Sequence, residues 1–214
     1  MKPTKKQTPY VLTPEDFLSR KERHTLIKTC KEHSDLDLMN GRMIWPVRWM
    51  LIDLALYSGL RVSEIASLKI RDIKTQEPDP HLIVRHGKGN RKRTVYLDEK
   101  LSKHLQWFID YKRKTLHQST LPEDPLFAGR KGDHSPPITL MKSFKQAIKA
   151  AGLREELSIH RCRHTYATFL LHDTGNLRYV QQQLGHSDIS ITSLYADILP
   201  EENGKLANKI VRDE

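Results

Sequence analysis

The stretch SIHRCRHTY, Ser158 to Tyr166, places two arginines and two histidines within the five positions His160 to His164. A guanidinium grips phosphate or carboxylate with two parallel hydrogen bonds. An imidazole gives or takes a proton near neutral pH. The combination suits chemistry on an anion, holding its charge while a proton moves beside it. On a helix, His160 and Arg163 stand three apart and share a face, while Ile159, Cys162, Tyr166, Phe169 and Leu170 follow a helical spacing on a neighbouring stripe. The segment therefore reads as half core and half site. By itself it also reads as a solvated run of charge. His160 and His164, four apart, have a spacing that can ligate zinc. The zinc-protease pattern needs Glu after the first His, and Arg161 stands there. Cationic neighbours repel a dication, so no metal is expected.

The rest of the chain agrees with an anionic partner. Its 214 residues suffice for one large domain or two small ones, and 37% are hydrophobic, enough for a core. Lys and Arg number 36 against 26 Asp and Glu, a net charge of +10. Such a balance favours nucleic acid first and an anionic membrane surface second; a merely basic surface is the plainer alternative. No apolar run is long enough to span a membrane. The start MKPTKKQTPY lacks the apolar region of a secretion signal. The two cysteines, Cys30 and Cys162, make neither a CxxC pair nor a zinc-finger spacing, which fits a reducing, cytoplasmic setting.

The elements that must position these residues are mostly helical. Residues 1–12 read as a basic arm. LTPEDF opens a helix, with Thr13 as cap and Asp16 three residues later, that runs into the twenties; KEHSDLDLMNGR then reads as a loop. WPVRWMLIDLALYSGL is apolar on most sides and predicts a core helix ended by Gly59. A short helix from Val62 to Leu68 follows, so Arg61 sits at a helix junction. Leu82–Arg85 and Thr94–Leu97 predict two strands around the turn GKGN. Helices are expected over DEKLSKHLQWFIDYKRKTL and LMKSFKQAIKAAGL, then at His160–His172, Leu177–Leu184 and Asp188–Ala196. The fold class is mainly α with a small antiparallel sheet (α+β).

Four segments in one order carry a specific signal: LYSGLRVSEIASLKIRDI, HGKGNRKRTVYL, HRCRHTYAT and LGHSDISITSLYADI. Together, from about Leu12 to Ala196, they resemble the tyrosine recombinase, or phage integrase, family. The resemblance implies that family's catalytic-domain fold over 13–197, with 198–214 as a tail that could dock on a neighbouring subunit. Residue by residue, it makes Arg61 of GLRVSE and Arg163 the arginines of the site. Lys88 of GKGN matches the hairpin lysine, and His160 opens the H-x-x-R pair. His186 of LGHSD matches a position that is His or Trp in relatives, and Tyr195 matches the nucleophile. Glu64 matches a position read as a brace for an arginine; His164 and Thr165 are supporting. Each residue alone has a plainer reading: a junction salt bridge for Arg61, a solvated turn for Lys88, a helix cap for His186, a core aromatic for Tyr195. One reaction that needs all six makes the joint reading the stronger.

That reaction, as the resemblance implies it, is metal-free and cofactor-free cleavage of double-stranded DNA by a tyrosine, followed by rejoining to a new 5′-hydroxyl. A homo-tetramer on two DNA sites is expected, with accessory recombination proteins as further possible partners. A type IB topoisomerase-like nickase-ligase is the alternative enzyme, and a non-catalytic DNA-binding regulator the alternative from another class. Most members carry an N-terminal core-binding domain of roughly a hundred residues, whereas about a dozen residues precede Thr13 here. The sequence is consistent with a catalytic-domain piece or with a naturally short recombinase.

Overall fold

The structure is a computed structural model that describes residues 13–85, 92–115, 118–129 and 132–185. The helix predicted from Thr13 is in fact two elements. Thr13 and Asp16 close a 3-10 turn over Pro14–Asp16, the Thr13 N–H donating to the Asp16 carboxylate at 2.9 Å. The chain then extends through Phe17, and α1 (Arg20–Met39) begins afresh with Ser19 as its cap. The break has a tertiary cause. Leu18 is fully buried, and its N–H donates to Thr165 Oγ1 at 2.8 Å, a donor that a continuous helix would keep for itself. Ser19 and Glu22 form the second capping box: the Glu22 N–H donates to Ser19 Oγ, and the Ser19 N–H to the Glu22 carboxylate.

KEHSDLDLMNGR, expected as a loop, is helical as far as Met39. Its own composition is too polar to advertise a helix. Leu26, Cys30 and Ser34 nonetheless recur every four residues and pack against α2 (Ile44–Tyr57). Asp37 ties the corner by accepting the Trp45 N–H at 2.9 Å, and His33 stacks on the Trp45 ring.

α2 is the centre of the core, as its apolar sequence predicts. Met50, Leu51, Ile52, Leu54, Ala55 and Leu56 are all at most 1% exposed. Around it pack α1, α4 (Glu99–Lys114), α5 (Pro137–Ala150) and α6 (Ile159–Thr174). The short α3 covers Val62–Ala66, two residues less than expected. The sheet has three strands rather than two: β1 (Ile73–Lys74), β2 (His81–Val84) and β3 (Arg93–Tyr96), antiparallel in that order. The two-residue β1 is too short to show in the sequence pattern; the pairing of Ile73 with Leu82 holds it. Leu82 also faces Val95, and both are fully buried. α7 (Leu177–Leu184) closes the described part and packs on β3 and α6. No helix among the described residues is long and apolar enough to cross a membrane. The basic arm 1–12, the GKGN turn, the helix expected at Asp188–Ala196 and the tail 198–214 lie outside the described residues.

Candidate active site

The site grows from the end of α2. Gly59 takes φ 64°, which turns the chain so that Arg61 caps α3. The Arg61 N–H donates to Glu64 Oε2 at 2.8 Å, and its Nη1 to Oε1 at 3.0 Å. Glu64 is only 4% exposed. A lone buried carboxylate would be costly, and this one is not alone. Arg93, on β3, donates Nη1 to Oε1 at 2.8 Å and Nη2 to Oε2 at 2.9 Å. Burial pushes the Glu64 carboxyl up. The Arg93 bonds, the Arg61 N–H and the nearby charge of Arg163 outweigh that and hold it below the usual carboxylate range. The stabilisation from this anchored charge is therefore fully present above the ordinary carboxylate pKa and fades only as pH falls through the depressed value.

Arg163, 8% exposed on α6, reaches the same junction from the other side. It donates Nη1 to the Gly59 carbonyl at 2.5 Å and Nη2 to the Leu184 carbonyl at 2.8 Å. The Leu184 carbonyl is an orphan acceptor at the end of α7, and that of Gly59 lies just past the end of α2. The guanidinium thus fixes its own plane and joins two helix termini. Arg93 repeats the arrangement from the sheet, its Nε donating to the Gln183 carbonyl at 3.1 Å. Glu64, Arg61, Arg93 and Arg163 form one cluster with three cations around one anion.

His160 and Arg163, three apart on α6, differ in burial. Arg163 turns inward, whereas His160 is exposed on the first turn of α6. His164 is half-buried, and burial pushes its pKa down; Arg163, His160 and Arg161 act in the same direction, and Asp16 opposes them. Thr165 is fully buried and accepts the Leu18 N–H while donating to the Arg161 carbonyl at 2.8 Å, so it fastens the N-terminal turn to α6. Lys88, His186 and Tyr195 lie outside the described residues. Among the described residues no three His, Cys, Asp or Glu side chains gather as a metal-binding group.

The model of the phage integrase family matches residues 16–202. The chain belongs to that family. A tyrosine recombinase of Thermosipho africanus (strain TCF52B) is 31% identical over 196 residues, which make up 91% of this chain and 62% of that protein. The crystal structure of XerA recombinase superposes with a TM-score of 0.72 at 26% identity, covering 96% of this chain and 68% of that one. The XerH site-specific recombinase bound to difH substrate, a pre-cleavage complex, gives 0.71 at 22% identity, over 95% of this chain and 56% of that one. The chain therefore has the fold of a tyrosine recombinase catalytic domain and spans only part of the length of its relatives.

Within this phage-integrase fold, sequence reasoning missed Arg93, which stands in the hairpin segment HGKGNRKRTVYL without an assigned role. A signal was available. Arg93 and Val95 share one face of β3, and Val95 is fully buried. An arginine in phase with a buried face requires an acid, and Glu64 supplies it. Sequence reasoning also gave Gly59 the role of a helix stop alone. A Cβ there would lie 2.5 Å from Tyr166 Cδ1 and 2.8 Å from Leu184 Cδ2. Gly59→Ala is expected to cost roughly 2–5 kcal/mol, from a left-handed alanine plus overpacking, against a typical total of about 5–15. Gly41 has φ 66°, and a methyl group added there would meet nothing within 4 Å. Gly41→Ala thus isolates the backbone part, and urea unfolding midpoints of the two variants should differ clearly. Equal midpoints would dismiss the contact with Tyr166 and Leu184.

Proposed function

We propose that the chain is the catalytic part of a site-specific DNA recombinase that cleaves and rejoins duplex DNA through a 3′-phosphotyrosyl intermediate. The observation that carries this reading is the cluster in which Arg61 and Arg163, far apart in sequence, converge on one helix junction and are oriented by Glu64 and by two backbone carbonyls. Fixed cations of this kind stabilise charge as it develops on a phosphate, and they do so best when they need not reorganise.

The tyrosine oxygen of Tyr195 attacks the phosphorus of a DNA phosphodiester. His160, exposed at the start of α6, takes the phenolic proton; a free tyrosine loses that proton only at about pH 10, so a base is needed. Arg61 and Arg163 take the charge of the non-bridging oxygens, and His186 donates a further hydrogen bond to them. The bond from phosphorus to the 5′-oxygen breaks, and Lys88 returns a proton to that oxygen. The phosphotyrosyl link keeps the energy of the broken ester, so a 5′-hydroxyl of a second strand reverses the step and joins new partners. Residues 13–197 carry this chemistry as one catalytic domain. Two DNA sites and four protomers complete the exchange, with the tail from 198 onward docking on a neighbouring subunit.

The test uses nicked duplexes containing any inverted repeats found beside the coding sequence, incubated with the full chain in EDTA. A denaturation-resistant protein–DNA band is expected, and chasing it with a second 5′-hydroxyl strand should give a recombinant joint. Absence of the band on every such duplex would sink the proposal. Supercoil relaxation without partner exchange would point to the nickase-ligase alternative instead.

A further inference from the structure

The Glu64 carboxylate raises an electrostatic difficulty for the reaction just proposed. An arginine serves a phosphate poorly when a buried carboxylate has already neutralised it. Glu64 lies 3.0 Å from Arg61 Nη1, in a pocket where its own side chain is 3% exposed and Coulomb attraction is weakly screened. With Glu64 alone as partner, Arg61 would be drawn down into a bidentate pair. The geometry shows what prevents this. Arg93 occupies both carboxylate oxygens with its two Nη groups, at 2.8 and 2.9 Å, and leaves Arg61 a single side-chain bond. The Arg61 side chain remains 30% exposed while that of Arg93 is 12% exposed.

We infer that Arg93 is a positioning residue for cleavage: it satisfies Glu64 so that the charge and fork of Arg61 remain available to the DNA phosphate. Three further observations hold Arg93 in that role. It is paired opposite Val84 in the hairpin register, so its backbone is fixed by the sheet. Its Nε is anchored on the Gln183 carbonyl. Its stem lies flat on Gly185, where a Cβ would come within 2.6 Å of Arg93 Cδ, and Gly185 takes φ 68°. The side chain thus passes from β3, across the end of α7, to the acid beside Arg61. The cluster then holds three positive charges and one negative. Glu64 is compensated by Arg93, which leaves the partly exposed Arg61 for the substrate's negative charge, with the buried charge of Arg163 beside it.

The inference rests on the recombinase reading, and the experiment separates the two. Adduct formation on nicked duplex is timed for wild type, Arg93→Ala, Arg93→Lys, and Arg93→Ala combined with Glu64→Gln. Circular dichroism and DNA affinity are measured alongside each. Tyr195→Phe serves as the control for the reading itself. If wild type forms no adduct, or Tyr195→Phe forms one, the recombinase reading fails first. Given a wild-type adduct, Arg93→Ala should fold and bind DNA, yet cleave about 10²-fold more slowly, the typical loss on removing one preorganised charge-stabilising donor. Arg93→Lys should also be slow, because a point charge cannot cover both oxygens. The double variant should recover about tenfold or more over Arg93→Ala, because a neutral amide no longer captures Arg61. A merely structural arginine would not show that recovery, since Glu64→Gln would add its own damage. Sulfur in place of the bridging 5′-oxygen should leave Arg93→Ala slow. The inference is overturned if Arg93→Ala cleaves at nearly the wild-type rate, if the double variant is no faster than the single, or if sulfur restores the single variant. That last outcome would place the effect of Arg93 on Lys88. Should Arg93→Ala fail to fold, Arg93→Lys with and without Glu64→Gln carries the same comparison.

Discussion

Tyr195→Phe is expected to abolish the covalent protein–DNA adduct outright. In the proposed reaction the phenolic oxygen is the atom that bonds to phosphorus, and a cation cannot replace a nucleophile. Two tyrosines among the described residues are poorly suited to replace it. Tyr166, three residues past Arg163, has a phenol that burial pushes above its ordinary value, and its ring is wedged against Gly59. Burial also pushes the phenol of Tyr57 up. DNA affinity should stay within about threefold of wild type, because binding of this kind rests on contacts between phosphates and cations. A gel under denaturing conditions and a native shift assay read the two properties separately. An adduct that survives the substitution would assign the nucleophile elsewhere.

The second large effect is expected of Arg163→Ala, and it is double. The charge on the non-bridging oxygens loses a fixed cation, which typically costs about 10²- to 10³-fold in rate. The carbonyls of Gly59 and Leu184 lose a charged donor as well. Leaving one buried acceptor without a partner costs about 1–3 kcal/mol, so the unfolding midpoint should fall with the rate. A leaving-group substitution distinguishes this from the role of Lys88. Sulfur at the bridging 5′ position leaves as a thiolate and needs no proton, since thiol pKa values lie near 8.5. Lys88→Ala, expected to lose about 10²- to 10⁴-fold on ordinary DNA, should recover on sulfur-bridged DNA. Arg163→Ala should remain slow on both. Recovery of Arg163→Ala by sulfur would show that the arginine acts on the leaving oxygen and not on the non-bridging pair.

The order and types of the proposed site residues are legible in the sequence through the family resemblance that four segments carry. The reaction proposed for them gives each residue type a task, arginines for charge, an imidazole and a lysine for protons, and a phenol for attack. The core helix around Met50 to Leu56 is equally plain, since a segment apolar on all sides can only be buried. The amphipathic helices α4 and α5 follow from period and capping, Asp98 accepting the N–H groups of Lys100 and Leu101.

Other features belong to the tertiary structure alone. The break at Phe17–Ser19 exists because the Leu18 N–H finds Thr165 Oγ1, a residue 147 positions away. The polar second half of α1 is helical because α2 lies beside it, and local composition cannot report a neighbour. Spacing places His160 and Arg163 on one face, but only packing sends Arg163 inward to two carbonyls and leaves His160 exposed. Glu64 is read from sequence as bracing an arginine; the fold gives it two, because β3 passes close enough for Arg93 to reach it. The sequence by itself determined which groups are available for phosphate chemistry, since chemistry selects residue types. The tertiary structure decided which arginine covers the buried acid and which stays partly exposed beside it, since that depends on distances between segments separated along the chain.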